Sequence, residues 1–464
     1  MSEATPLTFE ANDKLGLKPF SEKLERFLLV EHDFVEGSLV VSLNAPFGSG
    51  KSTFLSMWKS DFDKRREATP TIPKAVIINA WESDYCGEPL LSIVNALIKA
   101  AGDGESAKES GASHRIREAA KDVGWFFTGL VNKFASDWSG IDPMTAGKVA
   151  EEKRQERQTK VPDFIKLYED RQKSLDNLKY VLREVFGGEQ PKAFLFIDEL
   201  DRCRPDYAIN YLETIKHVFD IHGLVFVLAV DYDQLGCSAR ALFGSDMKFS
   251  EYFRKFSQRN IALPEPNESN LRTLAFHYAH NYLEREGKRV SFMQVDEHRV
   301  GNIVELITAL RMTPRQIQEM FLTIGHTVSG DTQNKGTLLW CLGVGVILMS
   351  ALKTAGHDMY GRIGNGGVNN LEVGKFLLNL LGKEKGGWWF CVYLTGTSNR
   401  DEQDSATAAT HIEKIFKDLG FADKEAGFDS KRHLGQFSGG WGHSWSDRWK
   451  FIYQTIETAN KFES

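Results

Sequence analysis

The sequence is poor in cysteine and lacks several common signatures. Its five cysteines (Cys86, Cys203, Cys237, Cys341 and Cys391) are widely spaced and form no C-x-x-C pair, which argues against a disulfide framework and against a zinc site. The N-terminus has no basic start followed by an apolar run, so no secretory signal is predicted. The chain also contains no H-E-x-x-H and no G-x-S-x-G motif, which are signatures of metalloproteases and of serine hydrolases. A reducing cytoplasm fits these absences best.

Long hydrophobic runs are also scarce. A membrane-spanning helix needs about 20 consecutive apolar residues. The longest apolar stretch, residues 337–353, is shorter and contains Gly343 and Gly345, which favours a buried core helix over membrane contact. A second stretch, residues 123–138, is interrupted by Asn132, Lys133 and Asp137 and is typical of an amphipathic, interfacial segment. No spanning helix is predicted, and peripheral membrane association stays open.

The composition is that of a globular protein. The chain has 464 residues, 42% hydrophobic and 26% charged, with a net charge of −6, and this length suits two or three domains. The slight excess of acidic residues gives no general support for nucleic-acid binding.

Five apolar, β-branched runs predict strands at residues 38–45, 74–81, 192–200, 223–231 and 259–264. Helical patterns separate them, among them residues 206–221. This alternation indicates an α/β fold with a parallel sheet of about five strands flanked by helices.

The pattern along the chain predicts three regions. Residues 1–265 form the α/β core, interrupted at about 101–161 by an insertion rich in Gly, Ser and charge. Residues 266–330 have a helical pattern typical of a compact lid. Residues 331–464 alternate apolar helices with glycine-rich turns, and their role is not indicated by the sequence.

The first predicted strand runs into a glycine-rich loop and then a helix, in the stretch VVSLNAPFGSGKSTFL at residues 40–55. Small residues allow backbone N–H groups to converge on phosphate oxygens, Lys51 can reach the β- and γ-phosphates, and the Ser52 hydroxyl can bind magnesium. The positive end of the helix dipole adds to the attraction for an anion. The predicted nucleotide-binding residues are Pro46, Phe47, Gly48, Ser49, Gly50, Lys51, Ser52 and Thr53.

Ala45 stands where the phosphate-binding pattern G-x-x-x-x-G-K-[ST] has its first glycine. A residue before proline is pushed towards extended conformations, so Pro46 is expected to keep Ala45 at the end of the strand. Glycine's freedom to adopt positive φ is then not needed at this position. We therefore expect a working loop in spite of the substitution.

A second motif, FLFIDELDRC at residues 194–203, is an apolar strand that ends in carboxylates. The carboxyl ends of strands are where open α/β sheets bind ligands. Asp198 is predicted to hold Mg²⁺ through water, and Glu199 to orient and deprotonate the attacking water. A strand ending in solvated acids is common, but the glycine-rich loop upstream favours a nucleotide hydrolase.

These motifs, together with INAWESD and the run IDELDRCRPDYAINYLETIKHVF, resemble the KAP family of P-loop NTPases, an additional-strand branch related to the STAND and AAA+ groups. The likeness extends over residues 20–330. It implies an ATP-binding and ATP-hydrolysing molecular switch or motor with Mg²⁺ as the metal, although no motif fixes ATP over GTP.

The resemblance implies further site residues. Asp201 would form an acidic pair with Glu199, and many relatives have Asp at the position of Glu199, so either residue could be the stronger base; the longer Glu199 is favoured. Asn79 stands where related ATPases place a polar residue beside the catalytic acid, and it could hold Glu199 inactive until a partner binds. Alternatively, Asn79 only satisfies backbone groups at the strand end.

Four more positions match polar or basic residues of related ATPases. Asp231 follows the fourth strand, where a polar residue senses the γ-phosphate; a turn-initiating Asp is the alternative. Arg254 precedes the fifth strand, where an arginine finger reaches a neighbouring subunit; a solvated helix end is the alternative. Arg315, and more weakly Arg311, resemble the lid arginine that senses the γ-phosphate.

Several functions stay open on the sequence alone. The resemblance implies a nucleotide, a second copy of the chain and an unidentified protein as partners, and it suggests a role in bacterial phage defence. A nucleotide-gated scaffold with little turnover is the alternative to a switch or motor, and a nucleic-acid translocase is less favoured. Trp441, Trp445 and Trp449 could form a stacking surface, but packing within the helical region is the favoured interpretation.

Overall fold

The computed structural model describes residues 6–85, 87–102, 111–124, 164–283, 297–329, 340–397, 417–420 and 448–460, with the single residues 414, 437 and 441. Most of the predicted insertion at 101–161, most of the segment 123–138, and Trp445 lie outside these residues. The chain divides into two compact units, one of Met1–Asp13 with Leu17–Pro264 and one of Lys14–Gly16 with Glu265–Ser464.

The first unit is built on a sheet of five parallel strands in the order β2-β3-β4-β1-β5. The strands are β1 Leu39–Asn44, β2 Lys74–Asn79, β3 Ala193–Asp198, β4 Leu224–Val230 and β5 Arg259–Ala262. All five predicted strands are present, and the predicted α/β class is confirmed. The helices of this unit are Phe9–Asn12, Lys18–His32, Lys51–Ala68, Ala80–Asp84, Pro89–Ala101, Gly111–Gly124, Phe164–Phe186, Pro205–Val218, Tyr232–Phe243 and Phe249–Phe253.

Two central strands explain why the sheet forms the core of this unit. Every residue of β3 and β4 is buried, as expected for apolar strands of a parallel sheet that is covered by helices on both faces. β2 ends two residues earlier than the sequence predicts because the Asn79 side chain accepts hydrogen bonds from the N–H groups of Trp81 and Glu82 and so begins a helix. β5 ends before Pro264, which has no N–H to donate to a ladder.

The helix Lys51–Ala68 is fixed against the sheet by aromatic side chains. Its Phe54, Trp58 and Phe62 recur at four-residue spacing and are fully buried, so they share one face of the helix. The Trp58 ring stacks on Phe196 of β3 with centroids 4.8 Å apart, and Phe62 lies 5.0 Å from Phe194. This packing sets the rotation of the helix and therefore the direction in which its first turn points.

The register of the sheet brings polar residues together at one edge. Asn79 of β2 lies opposite Asp198 of β3, and Asn44 of β1 lies opposite Val230 of β4. Since all strands are parallel, these carboxyl ends share an edge with the loop after β1 and with Asp231 after β4. That edge is the expected place for a ligand in an open α/β sheet.

The second unit is helical in the residues that the structure describes. Its helices are Glu268–Leu283, Glu297–Ala309, Pro314–Ser329, Trp340–Thr354, Met359–Gly364, Asn370–Leu381, Lys383–Thr397 and Arg448–Asn460. The helix Trp340–Thr354 is buried from Cys341 to Leu352 except for Leu342, which confirms the interpretation of the apolar stretch as a core helix. Among the described residues, none of the helices meets the length and hydropathy that a membrane span requires.

The C-terminal tryptophans pack inside this unit. Trp441 and Trp449 are buried, with ring centroids 5.3 Å apart. The Trp441 Nε1–H donates to the Thr395 hydroxyl at 3.0 Å, and the Trp449 Nε1–H donates to the Tyr393 carbonyl at 3.0 Å. For these two residues the packing interpretation is confirmed.

Candidate functional site

The glycine-rich loop has the conformation that an anion cradle needs. Gly48 and Gly50 have φ of +80° and +96°, values that residues with a Cβ adopt only with strain. Gly50 precedes the helix Lys51–Ala68, whose first turn has no side-chain cap. The N–H groups of this turn therefore point towards the loop without a side-chain acceptor, as in phosphate-binding helix N-termini.

Ala45 fits the loop without glycine. Its N–H donates to the Val230 carbonyl at 3.2 Å, which continues the β1–β4 ladder by one residue. Among the described residues, Glu199 and Arg311 are the only non-glycine positions with positive φ, so Ala45 needs no left-handed conformation. The expectation that Ala45 continues the strand without a positive φ is confirmed.

Lys51 lies at the base of the loop, and its side chain folds back onto the loop backbone. The residue is 8% exposed, and its ammonium donates to the carbonyl oxygens of Ala45 at 2.5 Å and Pro46 at 3.4 Å. Burial lowers the pKa of Lys51, and the carboxylates of Asp201, Asp231 and Asp198 oppose this effect. The ammonium is thus surrounded by acceptors that a phosphate group could replace.

Ser52 and Asp198 are the predicted ligands of a metal ion. Burial raises the pKa of Asp198, while the nearby Ser52 side chain and the N–H of Glu199, which donates to Asp198 Oδ1 at 2.9 Å, lower it. Hydroxyl and carboxylate oxygens suit Mg²⁺, which commonly takes one or two carboxylates and completes its shell with phosphate and water. The two residues therefore fit a magnesium ion bound together with a nucleotide.

Glu199 has an unusual backbone conformation at the end of β3. Its φ is +60°, in the left-handed region where strain at a non-glycine residue often accompanies a functional role. The Glu199 Oε2 accepts a hydrogen bond from Asn79 Nδ2 at 3.1 Å, and Oε1 forms an ion pair with Arg202 at 3.0 Å. Both oxygens of the predicted base are thus engaged by protein groups.

Asn79 contacts both the start of the next helix and the predicted base. Its Oδ1 accepts the N–H groups of Trp81 and Glu82, and its Nδ2 donates to Glu199. Because the cap occupies the oxygen, the amide can present only its nitrogen to Glu199. Asn79 is therefore both a helix cap and a neighbour of the predicted base.

Asp201 and Asp231 form a bridge from β3 to the loop. Asp201 is 7% exposed, and its Oδ2 accepts the N–H of Asp231 at 2.9 Å. Asp231 caps the helix Tyr232–Phe243 through Oδ1, and its Oδ2 accepts the N–H of Phe47 at 3.2 Å. The carboxylate of Asp201 thus fixes Asp231, which in turn holds the phosphate-binding loop.

The sequence did not single out two residues that the structure places in the site. The Asn44 Oδ1 accepts the N–H of Tyr232 at 2.9 Å, which adds a second tie between β1 and the β4 turn. Arg202 pairs with Glu199, and its guanidinium lies 4.5 Å from the centroid of the Phe47 ring. The sequence did contain signals for both residues. Asn44 is a polar residue at the end of the first predicted strand, and Arg202 is an arginine three residues after the predicted base.

The predicted arginines are divided between the two units of the chain. Arg254 is exposed at the end of the helix Phe249–Phe253, and its charge lowers the pKa of Tyr232 against the larger effect of burial, which raises it. Arg315 and Arg311 belong to the second unit, where the Arg315 Nε donates to Glu319 at 3.2 Å. Their proposed roles towards a nucleotide stay predictions.

The site has the features of a P-loop NTPase. These are a glycine-rich loop with a buried lysine, a serine near a strand-end aspartate, and a glutamate next to that aspartate. The chain belongs to the KAP family of these proteins: the model of the "KAP family P-loop domain" matches residues 18–330. Nucleotide binding by a P-loop is therefore the function of this domain at the level of the family.

The comparison with solved structures gave distant matches. The Aeropyrum pernix ORC1 protein, solved in complex with DNA, is 12% identical, with coverage of 91% of this chain and 82% of that chain and a TM-score of 0.34. The Aeropyrum pernix ORC2 protein, solved with ADPNP and ADP, is also 12% identical, with coverage of 100% and 98% and a TM-score of 0.35. No match was found among curated proteins.

Proposed function

We propose that the protein binds ATP with Mg²⁺ and hydrolyses it, and that it acts as a molecular switch or motor that couples nucleotide state to conformational change or assembly. The observation that carries the proposal is the buried Lys51 at the base of a loop with Gly48 and Gly50 at positive φ, with the charge of the strand-end acid Asp198 acting on it. This arrangement joins the loop to the strand-end acids at the place where a Mg–ATP complex needs both.

Each residue of the site has a role in this proposal. Gly48 and Gly50 let the backbone N–H groups surround the phosphates, and Lys51 leaves the loop carbonyls to pair with the β- and γ-phosphates. Ser52 and Asp198 would hold Mg²⁺, which supplies charge neutralisation during phosphoryl transfer. Glu199 accepts the proton of the attacking water.

The choice of Glu199 over Asp201 as the base rests on their contacts. Asp201 is buried and its Oδ2 is used by the N–H of Asp231. The side chain of Glu199 is 18% exposed, and its two oxygens are held by the side chains of Asn79 and Arg202 and not by a backbone N–H group. We therefore assign Asp201 to the support of Asp231 and of the loop.

Steady-state phosphate release tests hydrolysis and the choice of base. We expect Lys51→Ala to reduce turnover to background, and Glu199→Gln to reduce it by about 100-fold or more while ATP still binds, in keeping with the 10²–10⁴-fold typical of general-base catalysis. Arg259→Met, which removes an ion pair with Glu31 away from the site, is the matched control and should keep the wild-type rate. A wild-type rate equal to that of Lys51→Ala would refute hydrolysis.

A nucleotide-gated scaffold with little turnover is the second candidate. Both oxygens of Glu199 are engaged by Asn79 and Arg202, and this arrangement favours slow hydrolysis until the base is released. The two candidates differ in whether ATP in a stable complex is converted to ADP within the lifetime of the assembly.

A role in phage defence is compatible with either candidate. It would appear as loss of protection from infection in cells that carry Lys51→Ala.

A further inference from the structure

Arg202 lies where a short turn folds it back onto the predicted base. Residues Leu200–Arg202 form a single 3-10 turn directly after Glu199, and the N–H of Arg202 donates to the Glu199 carbonyl at 3.2 Å. This turn brings the guanidinium NH1 to 3.0 Å from the Glu199 Oε1, and the arginine side chain is 34% exposed. The contact is an ion pair between two partly exposed side chains, and such pairs contribute modestly to stability.

Glu199 is therefore held between two donors of different character. On one side is the Asn79 amide, which cannot flip because its oxygen caps the helix Ala80–Asp84. On the other side is the guanidinium of Arg202. β2, which carries Asn79, lies on the side of β3 away from β4 and β1, so the Asn79 contact draws the carboxylate away from the loop that follows β1.

Arg202 also contacts the phosphate-binding loop. Its guanidinium lies 4.5 Å from the centroid of the Phe47 ring and 5.9 Å from that of Trp81, distances at which a cation is attracted to an aromatic ring. The backbone N–H of Phe47 is held in turn by Asp231. Burial lowers the pKa of Lys51, and the charge of Arg202 adds a smaller decrease. One side chain thus joins the predicted base to the loop.

We propose that Arg202 is a positioning residue that restrains Glu199 and couples the release of this base to the position of Phe47. The proposal rests on the hydrolysis proposed above. In the arrangement that the structure shows, a water molecule must compete with the guanidinium for Glu199. A movement of the loop that shifts Phe47 weakens the support of Arg202, and the carboxylate is then free to turn towards the γ-phosphate.

The test is the steady-state turnover of Arg202→Met, which removes the charge but keeps a side chain that packs on Phe47. We expect kcat to rise about two- to fivefold, the range that corresponds to a partly exposed ion pair, with the KM for ATP within about twofold of wild type. Arg202→Lys, which can still pair with Glu199, should return kcat towards the wild-type value. Arg259→Met, which removes a Glu-paired arginine elsewhere, is the control for charge loss and should not change kcat.

The link to the loop is tested by combining variants. Phe47→Leu should raise kcat in the wild-type background but have little further effect in Arg202→Met, because both changes release the same restraint. Equal effects of Phe47→Leu in the two backgrounds would refute the link.

Two other outcomes separate this proposal from the hydrolysis on which it rests. A kcat of Arg202→Met equal to or below that of an active wild type overturns the restraint and leaves hydrolysis standing. If neither wild type nor Arg202→Met exceeds Lys51→Ala, both proposals fail. Affinity for fluorescent ADP, measured on the same proteins, then shows whether the site still binds nucleotide.

Discussion

At single residues of this site, a side chain that suits the proposed function can lower the stability of the folded protein. Asp198 is the clearest case, because it is 7% exposed and burial raises the pKa of its carboxyl group. An acid with a raised pKa in the folded state costs stability once the pH exceeds its unfolded pKa, since the folded state then has to hold a buried charge. The proposed metal binding explains its position at the loop, whereas folding does not.

Replacement of Asp198 should therefore stabilise the protein while it removes function. We expect Asp198→Asn to raise the thermal unfolding midpoint at pH 7 by about 2–4 °C, which corresponds to ~1 kcal/mol in a unit of this size. The advantage should shrink as the pH falls towards ~4, because the wild-type carboxyl group is then protonated. Differential scanning fluorimetry across this pH range measures both effects, and a variant that is less stable at pH 7 would contradict them.

The loop offers a direct comparison of two small residues. Ala45 continues the strand ladder, whereas Gly50 has φ of +96°. We expect Ala45→Gly to leave ATP affinity within about twofold of wild type, and Gly50→Ala to weaken it about tenfold, since a Cβ in the left-handed region costs ~1–2 kcal/mol. Titration with a fluorescent ATP analogue measures both. Equal losses in the two variants would show that the first glycine of the pattern is needed after all.

At the scale of elements, the turn after β4 holds the phosphate-binding loop. The Asp231 side chain uses one oxygen to cap the helix Tyr232–Phe243 and the other to accept the N–H of Phe47. An asparagine at this position can still cap the helix through its single oxygen but has no second acceptor for Phe47. The two roles of Asp231 can therefore be separated experimentally.

We predict that Asp231→Asn keeps the wild-type unfolding midpoint but weakens ATP binding several-fold, because the loop loses one of its ties. Asp231→Ala should in addition lose about 1 kcal/mol of stability, the usual value of a helix cap. The comparison needs thermal unfolding and ATP titration of both variants. If Asp231→Asn binds ATP as tightly as wild type, the contact with Phe47 does not support the loop.

The elements also show where prediction from the sequence stops. Unbroken apolar runs such as residues 194–197 specify buried strands, and the order of strand, glycine loop and helix specifies the phosphate site, because both depend on local sequence. The bridge from Asp201 through Asp231 to Phe47 was not predictable. It depends on the strand order and on which of several acids each N–H meets, and these follow only from the complete sheet. Arg202 was not predicted as a site residue for the same reason, since its contact with Phe47 joins residues that are distant in the chain.

At the scale of the whole molecule, the KAP P-loop match over residues 18–330 extends from the first unit into the second, which is helical in the residues that the structure describes. The sequence predicted residues 266–330 as a helical lid and residues 331–464 as a mostly helical region of unknown role, because their patterns indicate helices without indicating a ligand. A switch or motor needs a further body that responds to the nucleotide. The exposed Arg254 is our candidate for a contact between copies of the chain.

Assembly of the whole protein tests this role of Arg254. We expect Mg²⁺ and ATP to shift the wild-type protein to a dimer or larger ring, and Arg254→Ala to prevent the shift, because the finger arginine would stabilise the nucleotide of the neighbouring subunit. Light scattering coupled to size-exclusion chromatography measures the mass. Lys255→Ala, which removes the adjacent exposed charge, is the control. An ATP-dependent assembly that survives in Arg254→Ala would assign the contact to other residues.

We propose that Glu199 activates water for the hydrolysis of ATP bound at Lys51. A single-turnover experiment tests it most directly, with protein in excess over labelled Mg–ATP and the ATP-to-ADP ratio of the complex followed over time. We predict that wild type converts the bound ATP to ADP, while Glu199→Gln binds the same amount and retains it as ATP at least about 100-fold longer. Conversion of the bound ATP at the wild-type rate in Glu199→Gln would show that Glu199 does not activate the water.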